Sequence, residues 1–149
     1  MDRELIEEIN DYLVMIFNEV LEIEENALKE SDFSDLSVKE IHIIEAIGLS
    51  GERRMSDLAK EMRLTPGTIS VSVQNLVEKA YVNRMRRPDD RRSVYLELTA
   101  KGKLVYRLHR KFHIKMVEET IEGLDKDETD VLLKGLRNLH AFLIRTKVE

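Results

Sequence analysis

The sequence predicts a mainly α-helical fold carrying one small β-hairpin. Three observations predict it. Apolar residues recur at helical spacing along most of the 149 residues. One short segment, Tyr81 to Leu98, reads instead as two strands around a charged, proline-containing turn. The composition is 36% charged, 42% apolar and only 5% aromatic, which suits long amphipathic helices with a packed core.

Residues 2 to about 29 read as one long helix. Leu5, Ile9, Tyr12, Leu13, Ile16, Phe17, Val20, Ile23, Ala27 and Leu28 form its apolar stripe, and the opposite face is acidic. Such a helix cannot bury its stripe alone, so it needs partner helices from its own chain or a second one. Residues 30–36 form a polar loop. Ser37 with Glu40 makes a capping box for a helix that runs to about Ile47 and stops near Gly48. Leu49 to Arg54 is a connection with a minimal strand at Arg53-Arg54. Ser56 caps a short helix from Asp57 to about Met62, and Arg63-Leu64 turns the chain. Thr65 caps the next helix and Pro66 suits its first position. Ile69, Val73, Leu76 and Val77 give that helix one apolar face. Tyr81 to Met85 is a strand, Arg87 to Arg92 a turn, and Ser93 to Leu98 the returning strand. Thr99 caps a long helix, about Ala100 to Glu122, with Leu104, Val105, Leu108, Phe112, Met116, Val117 and Ile121 apolar. Gly123-Leu124 breaks it. Asp125 with Glu128 forms a second capping box, and the last helix runs to about Thr146 on Val131, Leu132, Leu136, Leu139, Phe142 and Leu143.

Leu58, Ala59, Met62, Leu64, Ile69 and Val73 can hold two short helices across a tight turn, a helix-turn-helix, and the hairpin that follows makes it a winged one. On the helix opened by Thr65, the residues Gly67, Thr68, Ser70, Val71, Gln74 and Asn75 are small or hydrogen-bonding and lie on or beside the face away from the core. That end can enter a major groove. Gln74 and Asn75 suit adenine, and Thr68 or Val71 a thymine methyl, which points to an A·T-containing half-site. Arg91 or Arg92 at the hairpin can enter a minor groove, where negative potential is greatest. Arg53, Arg54, Lys60, Arg63, Lys79, Arg84, Arg86 and Arg87 are candidates for phosphate contact.

The net charge of −5 is unevenly spread. Residues 1–52 hold three basic and fifteen acidic groups, residues 53–111 fifteen basic and six acidic, and residues 112–149 six basic and eight acidic. The only strongly basic block thus coincides with the reading helix and wing, the layout of a protein that binds a polyanion with one lobe. The chain has no cysteine, which removes disulfides, thiolate ligands and a cysteine nucleophile and fits a reducing cytoplasm. The N-terminus has no apolar signal core and no run approaches a membrane span, so a cytoplasmic protein without membrane partners is expected. There is no glycine-rich phosphate loop and no nucleophile motif, so no enzyme is expected. A helical dimer or adaptor without a DNA role would explain the long helices but not the basic wing.

The order helix, helix, helix-turn-helix, wing, long helix, helix resembles the MarR family of bacterial regulators over nearly the whole chain. Asp90-x-Arg92, then five intervening residues and Leu98-Thr99, is similar to that family's wing signature, and Asp89 with Arg91 offers the same pair one residue earlier. The resemblance implies a MarR-like winged helix-turn-helix and a C2 homodimer on a pseudo-palindromic double-stranded DNA operator. It also implies that Asp90 holds an arginine in place. One unit would span 1–149, with 1–36 and 100–149 forming the dimerisation helices and 37–99 the DNA-binding lobe. Residues 38–48, 64–84, 90–124 and 134–143 further resemble the MarR-type repressors of fatty-acid synthesis genes in Firmicutes. That resemblance implies repression of those genes, no required cofactor, and an acyl chain on acyl carrier protein as effector. Helix junctions make apolar pockets, and Ile16, Phe17, Phe33, Ile44, Phe112 and Met116 are the expected lining. His109 and His113, spaced i, i+4, can share a metal ion. Together with Glu24 and His42 they resemble the zinc site of the family's zinc-sensing branch, which leaves a zinc-responsive repressor as the alternative. Hydrogen-bonded histidines lining a core or pocket are the plainer explanation.

Overall fold

The computed structural model describes residues 1–148. The element order is α1 (Arg3–Lys29), α2 (Val38–Ile47), β1 (Arg53–Arg54), α3 (Met55–Met62), α4 (Pro66–Glu78), β2 (Val82–Arg87), β3 (Asp90–Leu98), α5 (Ala100–Ile121) and α6 (Lys126–Val148). The fold is mainly helical with one small antiparallel sheet, as expected. The sheet order is β1-β3-β2. The chain divides into two compact units, Met1–Arg110 and a second beginning at Lys111.

In the first unit the core collects Ile43, Ile44 and Ile47 from α2, Leu58 from α3, and Ile69, Val73 and Leu76 from α4. Tyr81, Val82, Leu96 and Leu98 of the hairpin and Val105 of α5 complete it. Local chemistry sets the helix boundaries. The Ser37 hydroxyl accepts from the Glu40 backbone N–H at 3.1 Å while the Glu40 carboxylate accepts from Ser37 N–H at 3.0 Å. Gly48, with φ +67, ends α2 where a side chain would be strained. The helix expected from Asp57 starts two residues sooner, at Met55, with Arg54 at the cap position and no side-chain cap. Pairing of Arg53 with Leu96 and Arg54 with Tyr95 leads the chain directly into α3, so Ser56 lies inside the helix.

At the end of α4, Tyr81 N–H bonds the Leu76 carbonyl at 2.9 Å and Ala80 N–H the Val77 carbonyl at 3.0 Å. This is the paired closure that usually needs a left-handed glycine. Ala80 takes that conformation instead, with φ 68. The turn aims Tyr81 into the core, where its ring meets Phe33 edge-on at 6.3 Å and its hydroxyl donates to Asp35 at 2.6 Å. Burial, with Asp35 beside it, pushes the phenol well above its ordinary pKa. Gly102 of α5 packs so closely on Tyr81 that a Cβ there would collide with the Tyr81 carbonyl oxygen.

The stripe of α1 is only partly covered within its unit. Leu28 is buried, but Leu5, Ile9, Tyr12, Ile16 and Ile23 are exposed and Phe17 is 63% exposed. In the second unit, α6 opens on the expected box, with Asp125 and Glu128 exchanging bonds at 2.9 Å. Its residues Leu136, Phe142 and Leu143 are exposed, and Val131 is 70% exposed.

Candidate nucleic-acid interface

Helix α4 divides cleanly into two faces. Ile69, Val73 and Leu76 are buried, while Thr65, Gly67, Thr68, Ser70, Val71 and Asn75 are exposed and Gln74 is half-buried. Thr65 caps the helix, its hydroxyl accepting from Thr68 N–H at 3.2 Å and donating to the Thr68 hydroxyl at 2.8 Å. Two outward residues have no structural reason to be what they are. Val71 is 64% exposed. Gly67 sits inside a helix with nothing within 4 Å of where a Cβ would be, although glycine there costs up to about 1 kcal/mol against alanine.

The hairpin is tighter than the sequence suggests. Arg87 to Arg92 was expected to be a turn, yet β2 runs through Arg87, β3 starts at Asp90, and Arg87 pairs with Asp90. Only Pro88-Asp89 forms the tip, and Arg91 and Arg92 are strand residues. Tyr95 explains the early pairing. It is buried, with the Arg87 guanidinium over its ring at 4.0 Å and that of Arg54 at 5.7 Å. Its hydroxyl accepts from Arg54 Nε at 3.2 Å and donates to Asp90 Oδ2 at 3.1 Å. Asp90 does hold an arginine, but it is Arg54 from β1, at 3.6 Å. Hydrogen bonding from Ser93 first, then from Tyr95, with Arg54 nearby, lowers the Asp90 pKa below its ordinary 3.8. The Tyr95 hydroxyl raises that of Arg54. Nothing local in the sequence marks Tyr95 as the centre of this clamp.

The basic residues separate by what they already hold. Arg53 donates to the Ala46 carbonyl at 2.9 Å and pairs with Glu61. Lys79 binds Glu40 at 2.9 Å and the Asp35 carbonyl at 2.6 Å. Arg86 donates to the Arg91 carbonyl at 2.8 Å, and Arg87 to the Gly51 carbonyl at 3.0 Å. Arg84 reaches across to α4, where it donates to Gln74 Oε1 and, at 3.3 Å, to the Ser70 carbonyl. Among the described residues, no side-chain hydrogen bond or ion pair holds Lys60, Arg63, Arg91 or Arg92. Three of these four, Lys60, Arg63 and Arg92, line one groove of about 480 Å³ between α3, the start of α4 and β3, over Ala59, Leu64, Ile69 and Val94. Arg63 is also held in the left-handed region, with φ 53, which costs about 1–2 kcal/mol for a residue with a Cβ.

This arrangement of a short helix, a solvent-facing second helix and a basic hairpin is shared by known regulators. The sequence model of the MarR family matches residues 36–94, from the residue before the α2 cap into β3. The chain is 46% identical to FabT of Streptococcus pneumoniae, solved as a crystal structure in complex with DNA. The two align with a TM-score of 0.84 over 94% of this chain and 98% of that one. The chain belongs to the MarR family. It is also 25% identical to the transcriptional regulator PchR of Bacillus subtilis, over 76% of this chain and 70% of that protein. The MepR–DNA complex of S. aureus, 19% identical, shares the fold with a TM-score of 0.67 over 89% of this chain and 96% of that one. These MarR-family relatives are transcriptional regulators rather than enzymes, and so is this chain. Among the described residues, no helix is long and apolar enough to cross a membrane.

Two histidines of the first unit of this MarR-family chain, His42 and His109, gather around Glu24. Glu24 is the one charged side chain buried among the described residues, and His109 Nε2 lies 3.1 Å from its Oε1. His109 Nδ1 is 3.2 Å from Glu45, a partner the sequence reading missed although Glu45 lies three residues after His42 on the same helix. His42 is 3.9 Å from Glu24 and about half exposed. His113, in the second unit, stacks edge-on against Phe112 at 5.7 Å. Of the residues expected around an effector, Ile44 is wholly buried in the first unit's core and Phe33 packs against that core. Ile16 and Phe17 are exposed on α1, and Phe112 and Met116 are half-buried on α5. None of the six lines the groove beside α4.

Proposed function

We propose that the chain is a homodimeric repressor of fatty-acid biosynthesis genes that binds a pseudo-palindromic double-stranded DNA operator in the cytoplasm. The observation that carries this reading is the outward face of α4. Its Gly67, Thr68, Val71 and Asn75 have no packing role, and cations without a side-chain partner among the described residues stand beside it. The likeness to FabT supports the choice of genes. In the mechanism, Thr65, Gly67, Thr68, Ser70, Val71 and Asn75 meet the major groove, Arg91 or Arg92 the minor groove, and Lys60 and Arg63 the phosphates. The uncovered apolar residues of α1 and α6 support a second copy as partner, since a large exposed apolar surface marks an interface. Two reading helices must then sit about 34 Å apart to engage both half-sites. An acyl chain carried on acyl carrier protein acts as effector by favouring or spoiling that spacing.

The test is fluorescence anisotropy with a palindromic duplex from a fatty-acid gene promoter. The parent binds it. Arg92→Ala binds more weakly, with a shallower salt dependence and an unchanged dimer in ultracentrifugation. Parent binding no tighter than to random duplex would end the reading.

A second reading has its own observation, the buried pair of Glu24 and His109. Together with His42 they are the residues of the first unit that would hold a zinc ion, and the Glu45 carboxylate on His109 Nδ1 suits the orienting partner of a metal-bound imidazole. Zinc would supply a charge that fixes these elements together. Equilibrium dialysis with zinc, and DNA affinity with and without it, decides this reading. No bound zinc and no change in affinity would exclude it. A helical adaptor with no DNA role leaves the cations beside α4 without a purpose.

A further inference from the structure

The pairing of β2 with β3 dictates where Arg84 goes. Arg84 stands opposite Leu96 and Val82 opposite Leu98, so Arg84 shares the helix-facing side of the hairpin with core residues. It lies at the edge of that core and is exposed, and its guanidinium runs out along α4 to Ser70 and Gln74. Gln74 in turn donates to Glu78 at 3.1 Å. A guanidinium only donates and an ionised carboxylate only accepts. The Gln74 amide must therefore point its oxygen at Arg84 and its nitrogen at Glu78. Both ends of Gln74 are committed inside the protein. A bidentate adenine contact needs both ends free and facing one base edge. Arg84 has five N–H donors and spends two of them on α4. The remaining donors belong to a planar group fixed by two acceptors on the helix's exposed flank, one turn from Val71.

We propose that Arg84, buttressed by Gln74 and the Ser70 carbonyl, is a specificity-determining residue that reads a guanine in each operator half-site, and that Gln74 positions it rather than reading a base. The inference rests on the DNA-binding reading above and adds to it one obligatory G·C pair beside the A·T contacts. Guanine is the base that fits because its O6 and N7 are two acceptors side by side in the major groove. The fixed guanidinium presents its donors without the rotamer cost that a free arginine carries.

The experiment starts from a pool of double-stranded DNA randomised over about two helical turns, selected on the full-length parent. The selected duplex and its single base-pair substitutions are then titrated against Arg84→Ala, Arg84→Lys and Gln74→Ala, with circular dichroism as the check on folding. The parent selects one G·C pair per half-site whose replacement costs about 5- to 150-fold in affinity. Arg84→Ala and Arg84→Lys lose that discrimination at the one pair only, and Lys retains the salt slope. Gln74→Ala weakens discrimination at the same pair. Equal weakening of every duplex by Arg84→Ala, with the salt slope lower by about one, marks a phosphate contact and overturns the proposal. It is equally overturned if Gln74→Ala relaxes a different, A·T pair. A parent that enriches no sequence refutes DNA reading itself, an outcome distinct from either.

Discussion

Replacing Gly102 with alanine tests the packing beneath the wing. The added methyl meets the Tyr81 carbonyl oxygen, with Leu98 Cβ 3.3 Å away on the other side. The carbonyl cannot simply retreat, because it accepts from Thr99 N–H at 3.0 Å. Thr99 in turn caps α5, accepting from Gly102 N–H at 3.1 Å, and its hydroxyl donates to the Ala80 carbonyl at 2.7 Å. Overpacking of this kind costs about 1–3 kcal/mol. Displacing the Thr99 bond adds about 0.5–1.5 kcal/mol. Alanine returns up to about 1 kcal/mol of helix propensity. The net expectation is a loss of about 1–3 kcal/mol, or roughly 3–10 °C in Tm for a chain of this size. Thermal and urea unfolding followed by circular dichroism, at one fixed protein concentration, measures it. Gly67→Ala is the matched control. It also adds a methyl to a helical glycine, but into open space, so stability should rise by up to about 1 kcal/mol. The same control should bind DNA more weakly, since Gly67 faces the proposed groove. Equal stability of Gly102→Ala and the parent would refute the packing argument.

Two further predictions concern the polar network. The lowered pKa of Asp90 means that its charged form is stabilised in the folded state. That contribution is present above the ordinary carboxylate pKa and is lost as pH falls through the lowered value. Asp90→Asn should therefore lower the urea midpoint at about pH 7, and the deficit should close in acid as pH falls through the lowered value. A deficit that persists in acid would show that the carboxylate charge is not the cause. Tyr81→Phe removes the bond to Asp35 from a fully buried ring and should cost about 1–2 kcal/mol in urea unfolding. An unchanged midpoint would mean that the bond contributes nothing net.

What could be read in advance was governed by short-range chemistry. Ser37 with Glu40 and Asp125 with Glu128 fix helix starts because a side chain and a backbone N–H three residues apart need no other partner. Thr65-Pro66 is legible for the same reason, as is the split of α4 into core and outward residues. The tip of the wing was not legible. Its turn shrinks to Pro88-Asp89 because Arg54, 41 residues from Tyr95, completes a clamp that no local pattern announces. The fates of the cations are equally non-local. Lys79 is spent on Glu40, 39 residues away, whereas Lys60 and Arg63 find no side-chain partner among the described residues, and composition treats all three alike. Gln74 suited adenine by type, yet Arg84, ten residues on, occupies it.

The three-stranded sheet has β3 at its centre, which leaves β2 with one side unpaired along its length. An open strand edge is a template on which another chain can extend the sheet, and β2 carries its own obstacles to that. Asn83, Arg84, Arg86 and Arg87 put polar or positive groups at four of its six positions, and an irregularity between Met85 and Arg87 breaks the regular spacing a partner strand would need. Two copies brought together near their wings would repel along this border rather than fuse through it. Removing positive charge from β2 to weaken nucleic-acid binding therefore carries a second effect, a greater tendency to associate edge to edge. Light scattering would register that tendency before any loss of folding.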